Sequence, residues 1–101
     1  MMKKYNENIK KELNEIKEGK LIKDFKINIK NDLIEEIIII ILEGEELKIT
    51  LAENYCYKVH KNNKIYESFE SLLNDLSEKY VETFWNNIAK GLKKNKNIND
   101  E

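Results

Sequence analysis

The 101-residue chain contains no arginine and no proline, three glycines, one cysteine, one histidine and one tryptophan. Without arginine, the planar fork that grips phosphate, carboxylate or guanine in a bidentate way is missing. The 18 basic residues, all lysine, are offset by 19 acidic ones, leaving a formal charge of -1. A dedicated nucleic-acid binder needs a basic stripe or domain, and this balance argues against one. A single cysteine excludes an internal disulfide, which fits a reducing compartment. One Cys and one His exclude a structural zinc site of the Cys/His type. The three glycines, at 19, 44 and 91, are isolated, so no phosphate-cradling loop can form. The longest apolar run, Ile37 to Leu42, is six residues. A membrane-spanning helix needs about twenty. The N-terminus, MMKKYNENIKKELNE, is polar where a signal peptide would be apolar. These absences lead to the expectation of one small cytoplasmic domain with no membrane contact.

What is present is mostly isoleucine, lysine and asparagine, which fill 47 of the 101 positions. Such usage is common where a genome is AT-rich and carries little functional information by itself. Its order along the chain is informative. Tyr5, Ile9, Leu13 and Ile16 recur at steps of three and four, which predicts a helix over residues 3–18, with Gly19 at its C-cap. The period then falls to two. Phe25, Ile27 and Ile29 alternate with Lys26, Asn28 and Lys30 as in a half-buried strand, and Asn31-Asp32 breaks it. The five consecutive isoleucines between Glu35 and Glu43 read as a second strand, because β-branched side chains favour sheets. Glu43-Gly44 is a turn signal, Leu47, Ile49 and Leu51 mark a third strand, and Glu53-Asn54 another turn. Tyr55, Tyr57 and Val59 on one face, with Cys56, Lys58 and His60 on the other, predict a fourth strand ending at Lys61-Asn62-Asn63-Lys64.

Helical spacing returns at Ser68, which can cap a short helix carrying Phe69, Leu72, Leu73 and Leu76. Ser77 can cap another, with Glu78 and Glu82 placed to complement its dipole. Its apolar rows are Tyr80, Phe84, Ile88, Leu92 and Val81, Trp85, Ala89. The order predicts an α+β two-layer domain: an N-terminal helix, a four-stranded antiparallel sheet and two C-terminal helices. Residues 1–94 form this domain, and 95–101 a polar tail expected to be disordered. Alternate isoleucines of the run should be core. The other set should be partly covered by the first segment, or form a weak dimer contact.

Chemistry has few places to reside. Cys56 and His60 are the one conceivable nucleophile–base pair, and four residues apart on a strand they would stand about 13 Å from each other. The carboxylate pairs Glu35-Glu36 and Glu45-Glu46 read as solvated charges that guard the apolar run. No enzyme, catalytic residue, metal or cofactor is expected. The aromatic face of the last helix is the most informative feature, since Trp, Tyr and Phe often anchor interfaces.

Two stretches carry a resemblance. One is Ile49-Thr50-Leu51-Ala52-Glu53 followed by Tyr57 and Val59. The other is Tyr66-Glu67-Ser68, Leu72-Leu73-Asn74-Asp75-Leu76-Ser77, then Tyr80, Glu82, Phe84, Asn86, Ile88 and Leu92. Together they resemble the GSKIP domain family, small proteins that bind glycogen synthase kinase-3, with related domains in clustered-mitochondria (CLU) proteins. The resemblance implies an antiparallel sheet packed with helices. It also implies a C-terminal helix that lays Phe84, Ile88 and Leu92, with Trp85 beside them, into a groove on the kinase. The chain departs from the family pattern at Gly91, Lys93 and Asn95, where the family has an arginine, a glutamate and an aliphatic residue. Gly91 lowers helix stability by about 1 kcal/mol relative to alanine. The family's second activity, anchoring protein kinase A through an N-terminal helix, needs a continuous apolar face, and the Tyr5, Ile9, Leu13, Ile16 stripe is too thin for it. The expectation is a non-enzymatic kinase-binding module, monomeric or weakly dimeric. The alternative is a structural or assembly domain of the CLU type, with the last helix buried in its own core.

Overall fold

The computed structural model describes the backbone of residues 2–99 and, within it, the side chains of residues 6–89. Tyr5, Gly91, Leu92, Lys93, Asn95 and the expected polar tail therefore fall outside the side chains described. The order is α1 (Met2–Glu18), β1 (Asp24–Lys30), β2 (Leu33–Ile40), β3 (Glu46–Leu51), a 3-10 turn (Glu53–Tyr55), β4 (Tyr57–Val59), β5 (Ile65–Tyr66), α2 (Phe69–Leu76) and α3 (Glu78–Asn99). The sheet is antiparallel throughout, and its spatial order β1-β2-β3-β4-β5 follows the chain. Tight connections make this the natural arrangement.

Each hairpin has its own turn chemistry. Asn31 and Asp32 both adopt positive φ (54° and 64°) between the paired Lys30 and Leu33, the two-residue loop that matches strand twist. Between β2 and β3 the Gly44 N–H donates to Ile41 and the Ile41 N–H to Glu45. Gly44, at φ 94°, supplies the left-handed residue of that three-residue loop.

The isoleucine run is kept in phase by a bulge. Asn28 pairs with Glu36 and Ile29 with Ile34, so Glu35 is an extra residue on β2. Without it, Ile34 would face the opposite side from Ile37. With it, Ile34, Ile37, Ile39 and Ile41 are all buried. Leu47, Ile49, Tyr57, Val59 and Tyr66 extend this core along the same face. Ile9 and Leu13 from α1, Phe69, Leu72 and Leu73 from α2, and Tyr80 from α3 cover it.

Four expectations change. The sheet has five strands, because Ile65 and Tyr66 pair with Lys58 and Tyr57. Two residues are too few to show a period, which is why β5 left no sequence signal. Tyr55 does not continue the Tyr57–Val59 face. Asn54 and Tyr55 take positive φ (59° and 60°), and the Tyr55 side chain is exposed. The first segment does not cover the outer isoleucines, since α1 joins the core face. Ile38 and Ile40 lie half-buried on the open face. Lys26 and Lys48 are the cross-strand neighbours of Ile38, and lysine stems can shield apolar surface while their ammonium groups stay in water. Finally, Gly19 does end α1, but the left-handed residue is the next one.

Lys20 has φ 62°, its N–H donates to Lys17, and the Leu21 N–H donates to Ile16. This is a Schellman closure with lysine at the position glycine usually fills. A lysine there costs about 1 kcal/mol in backbone strain. Lys20→Gly should therefore raise unfolding free energy by about 1 kcal/mol in urea titration, whereas Gly19→Ala, whose added methyl meets nothing closer than 3.5 Å, should change little.

Candidate protein-binding surface

α3 begins at a junction of three elements. Ser77, almost wholly buried, accepts the Tyr80 N–H on its hydroxyl oxygen at 3.1 Å, the N-cap expected from sequence. The same hydroxyl donates to one carboxylate oxygen of Glu43 at 2.7 Å. The other Glu43 oxygen accepts the Lys79 N–H at 2.9 Å. A carboxylate from the β2–β3 turn thus satisfies the free amides at the start of α3 and complements its dipole. Burial acts to raise the Glu43 carboxyl, but the bonds from Lys79 and Ser77 outweigh it and hold the group below its ordinary range. In the sequence, Glu43 is part of the Glu43-Gly44 turn signal. Its partner is 34 positions away, and no local pattern reports such a contact.

α2 is fixed at both ends. Ser68 accepts the Ser71 N–H at 3.1 Å, again as the sequence predicts. The Tyr66 hydroxyl donates to Asp75 at 2.6 Å and accepts from Asn62 at 2.8 Å. Burial, then Asp75, raise the Tyr66 hydroxyl pKa. Phe69 stacks on Tyr57 with centroids 4.2 Å apart.

From this fixed start, α3 carries its aromatic residues outward. Tyr80 is 4% exposed and belongs to the core. Phe84 is half-buried and stacks on Tyr80 at 5.9 Å. Trp85 meets Phe84 edge-on at 5.8 Å and is 59% exposed. Ile88 is half-buried. Of the four residues singled out from sequence, the structure places Phe84, Trp85 and Ile88 on one side of α3. Leu92 lies outside the described side chains.

Two shallow grooves flank this ridge. One, about 320 Å³, lies between α1 and α3 and includes Glu12, Glu15, Glu70, Tyr80 and Phe84. The other, about 220 Å³, includes Glu70, Asn74, Phe84 and Trp85. Burial, then Glu70 and Glu15, raise the Glu12 carboxyl pKa. Burial, then Glu70, raise Tyr80. The apolar ridge is therefore bordered by carboxylates, a feature that helix periodicity did not reveal, because it joins α1 to α2 across space.

The remaining chemical residues do not converge. Cys56 precedes β4 and His60 follows it, so the two do not share a strand. The Cys56 thiol is 3.7 Å from the Asn54 carbonyl, and His60 is exposed in a turn. Among the described residues no group of three His, Cys, Asp or Glu could hold a metal, and no helix is long and apolar enough to cross a membrane.

The GSKIP domain model matches residues 6–95, from α1 into α3. The chain belongs to the GSKIP domain family. It is thus a protein-binding module of the GSKIP type, as its residue patterns imply. No curated protein and no solved structure matches the chain.

The Glu43 contact gives a pH-dependent test. A carboxyl whose pKa is lower in the folded chain stabilises above its unfolded value, near 4.5, and loses that contribution as pH falls through the folded value. Glu43→Gln should cost about 1 kcal/mol at pH 7. The difference between wild type and variant, read from thermal melts, should shrink steadily on acidification below that range.

Proposed function

We propose that this domain is a non-enzymatic cytoplasmic module that docks the outer side of α3 on a protein kinase of the glycogen synthase kinase-3 type and modulates or inhibits it. The binding residues are Phe84, Ile88 and Leu92, with Trp85 beside them. The observation that carries this reading is the exposure of Trp85 next to half-buried Phe84 and Ile88 on a helix whose first turn is locked to the sheet. An anchor presented from a fixed helix loses little conformational freedom on binding. Each aliphatic or aromatic side chain buried contributes about 1.5–3 kcal/mol, so a few anchors reach micromolar affinity. The carboxylates of Glu12, Glu15 and Glu70 favour a partner groove with a basic rim. Residues 1–94 act as one unit, and the backbone of α3 runs on past them to Asn99.

A second reading rests on Tyr80. Its burial, with Val81 and Phe84 packed against the core, favours a structural domain of the CLU type, in which α3 serves its own fold. The two readings differ in what a charge on the outer row does.

Capture of a glycogen synthase kinase-3-type kinase by the full chain tests both. Trp85→Ala, Ile88→Asp and Leu92→Asp should each lower capture by about tenfold or more while leaving the melting temperature unchanged. Equal capture by wild type and all variants, or none by the wild type, overturns kinase docking. Unfolding of Ile88→Asp and Leu92→Asp selects the structural reading.

A further inference from the structure

The two edges of the sheet are unequal. β5 is a two-residue edge, short enough to resist further pairing. β1 is seven residues long and, among the described residues, pairs only with β2. Its outward backbone groups can be identified. The Ile41 N–H bonds across to Glu45, so the odd-numbered residues of β2 past the bulge, Ile37 and Ile39, face β3. The even ones then face β1, consistent with the Lys23 N–H donating to Ile40. Ile38 and Ile40 pair with Lys26 and Asp24, which leaves Phe25 and Ile27, and by the same alternation Ile29, with N–H and C=O turned away from the sheet. Of these, the Phe25 N–H donates to the Asp24 carboxylate of its own chain at 2.8 Å and exchanges that bond when a second strand pairs with it.

The side chains of these three residues lie on the core face but are poorly covered. Phe25 and Ile27 are half-buried, and Ile29 is 53% exposed. They line a groove of about 390 Å³ beneath α1, whose rim carries Glu7 and Lys10. An apolar groove beside an unpaired strand edge has the form of a β-augmentation site, where main-chain bonds supply affinity and alternate side chains fill the groove.

The sequence of the edge, Asp24-Phe25-Lys26-Ile27-Asn28-Ile29-Lys30, matches itself when reversed. Set antiparallel to a second copy about a two-fold axis through Ile27, it places Asp24 opposite the other chain's Lys30, Phe25 opposite Ile29, and Lys26 opposite Asn28. Shifting by two residues in either direction sets Lys26 against Lys30 or against itself. Shifting by one sets lysine among the apolar side chains. The centred register alone pairs all seven residues with opposite charges at the ends and no like charges face to face. The charged residues of the groove, Glu7 and Asp32 against Lys10 and Lys26, balance each other and so suit a second copy of the same surface. We propose that β1 is the seat of a two-fold dimer in which two copies join their sheets edge to edge through residues 24–30. The exposed Ile29 of each chain is then covered by the other's Phe25, and the joined sheet ends only in short β5 edges.

Sedimentation velocity of the full chain, from about 10 μM to about 1 mM, should show a concentration-dependent monomer–dimer equilibrium. Ile27→Pro removes an outward N–H without touching the bonds to β2, and should abolish the dimer with the circular dichroism spectrum retained. Asp24→Lys sets two like-charged pairs across the axis and should weaken association about tenfold, and the swap Asp24→Lys with Lys30→Asp should restore it to within about twofold. Asp24 also accepts bonds from Lys17 at 3.0 Å and from the Phe25 N–H at 2.8 Å. Lys17→Ala controls for the first and should leave association unchanged; the single variant and the charge swap both lack the second, so the difference between them reads the cross-axis charge pairs alone. A wild-type chain monomeric throughout, as expected if the edge instead receives a strand of another protein, overturns the proposal. So does a dimer that survives Ile27→Pro, or a charge swap that fails to restore Asp24→Lys.

Discussion

Burial of Ile34, Ile37 and Ile39 on one face of β2, with Ile41 directly after it, is the constraint that the other elements satisfy. A five-isoleucine run could register in either phase, and a slip of one residue would turn the whole set to solvent. The bulge at Glu35 and the glycine-containing turn at 42–44 bracket the run and fix that phase. Once it is fixed, β1 and β3 inherit their orientation through direct pairing. Phe25 lies opposite Ile39, and Ile49 opposite Ile37. The three helices then have one face to cover. Ile9, Leu13, Phe69, Leu72, Leu73 and Tyr80 all converge on it.

The helices are held by polar contacts as well as by burial. Asn6 donates from its amide to the Asp32 carbonyl at 2.8 Å and ties α1 to the first hairpin. Glu43 ties α3 to the second hairpin, and the Tyr66–Asp75 bond ties α2 to β5. Each is a side-chain bond between a helix and a strand or turn, where apolar contact alone would allow sliding. The result for α3 is an asymmetric helix. Its first turn is part of the domain, and its aromatic residues step from buried Tyr80 to exposed Trp85. A family whose role is to bind other proteins needs that division, since a wholly buried helix offers nothing and a wholly exposed one has no fixed geometry.

Much of this was legible in the residues. Helical spacing at Ile9, Leu13 and Ile16, alternation at Phe25, Ile27 and Ile29, and the serines at 68 and 77 each report a local physical preference that the fold respects. The GSKIP-like pattern from Tyr66 through Ile88 was legible for the same reason, because it follows two capped helices. The features that escaped are those set at a distance or by single residues. Tyr55 sits where alternation would continue the strand, but the tight 3-10 turn overrides it. Lys20, one residue past the Gly19 C-cap, occupies the left-handed position, and lysine carries no local signal for that conformation. The Glu43–Ser77 contact, the carboxylates around Tyr80 and the two-residue β5 depend on tertiary packing, and a linear pattern has no means of announcing them.

The strict agreement between sheet order and chain order has a kinetic consequence. Every strand pairs with its sequence neighbour, so each pairing closes a short loop and little chain entropy is lost at any step. Domains built this way reach their transition states through local contacts and fold fast for β-containing proteins. The bonds that Glu43 makes to Ser77 and Lys79 span 34 and 36 positions and can close only after both hairpin and helix have taken shape. They form a late latch. In the folded chain the same latch governs how readily the start of α3 opens, which makes the amides at its first turn a reporter of local unfolding distinct from those of the sheet.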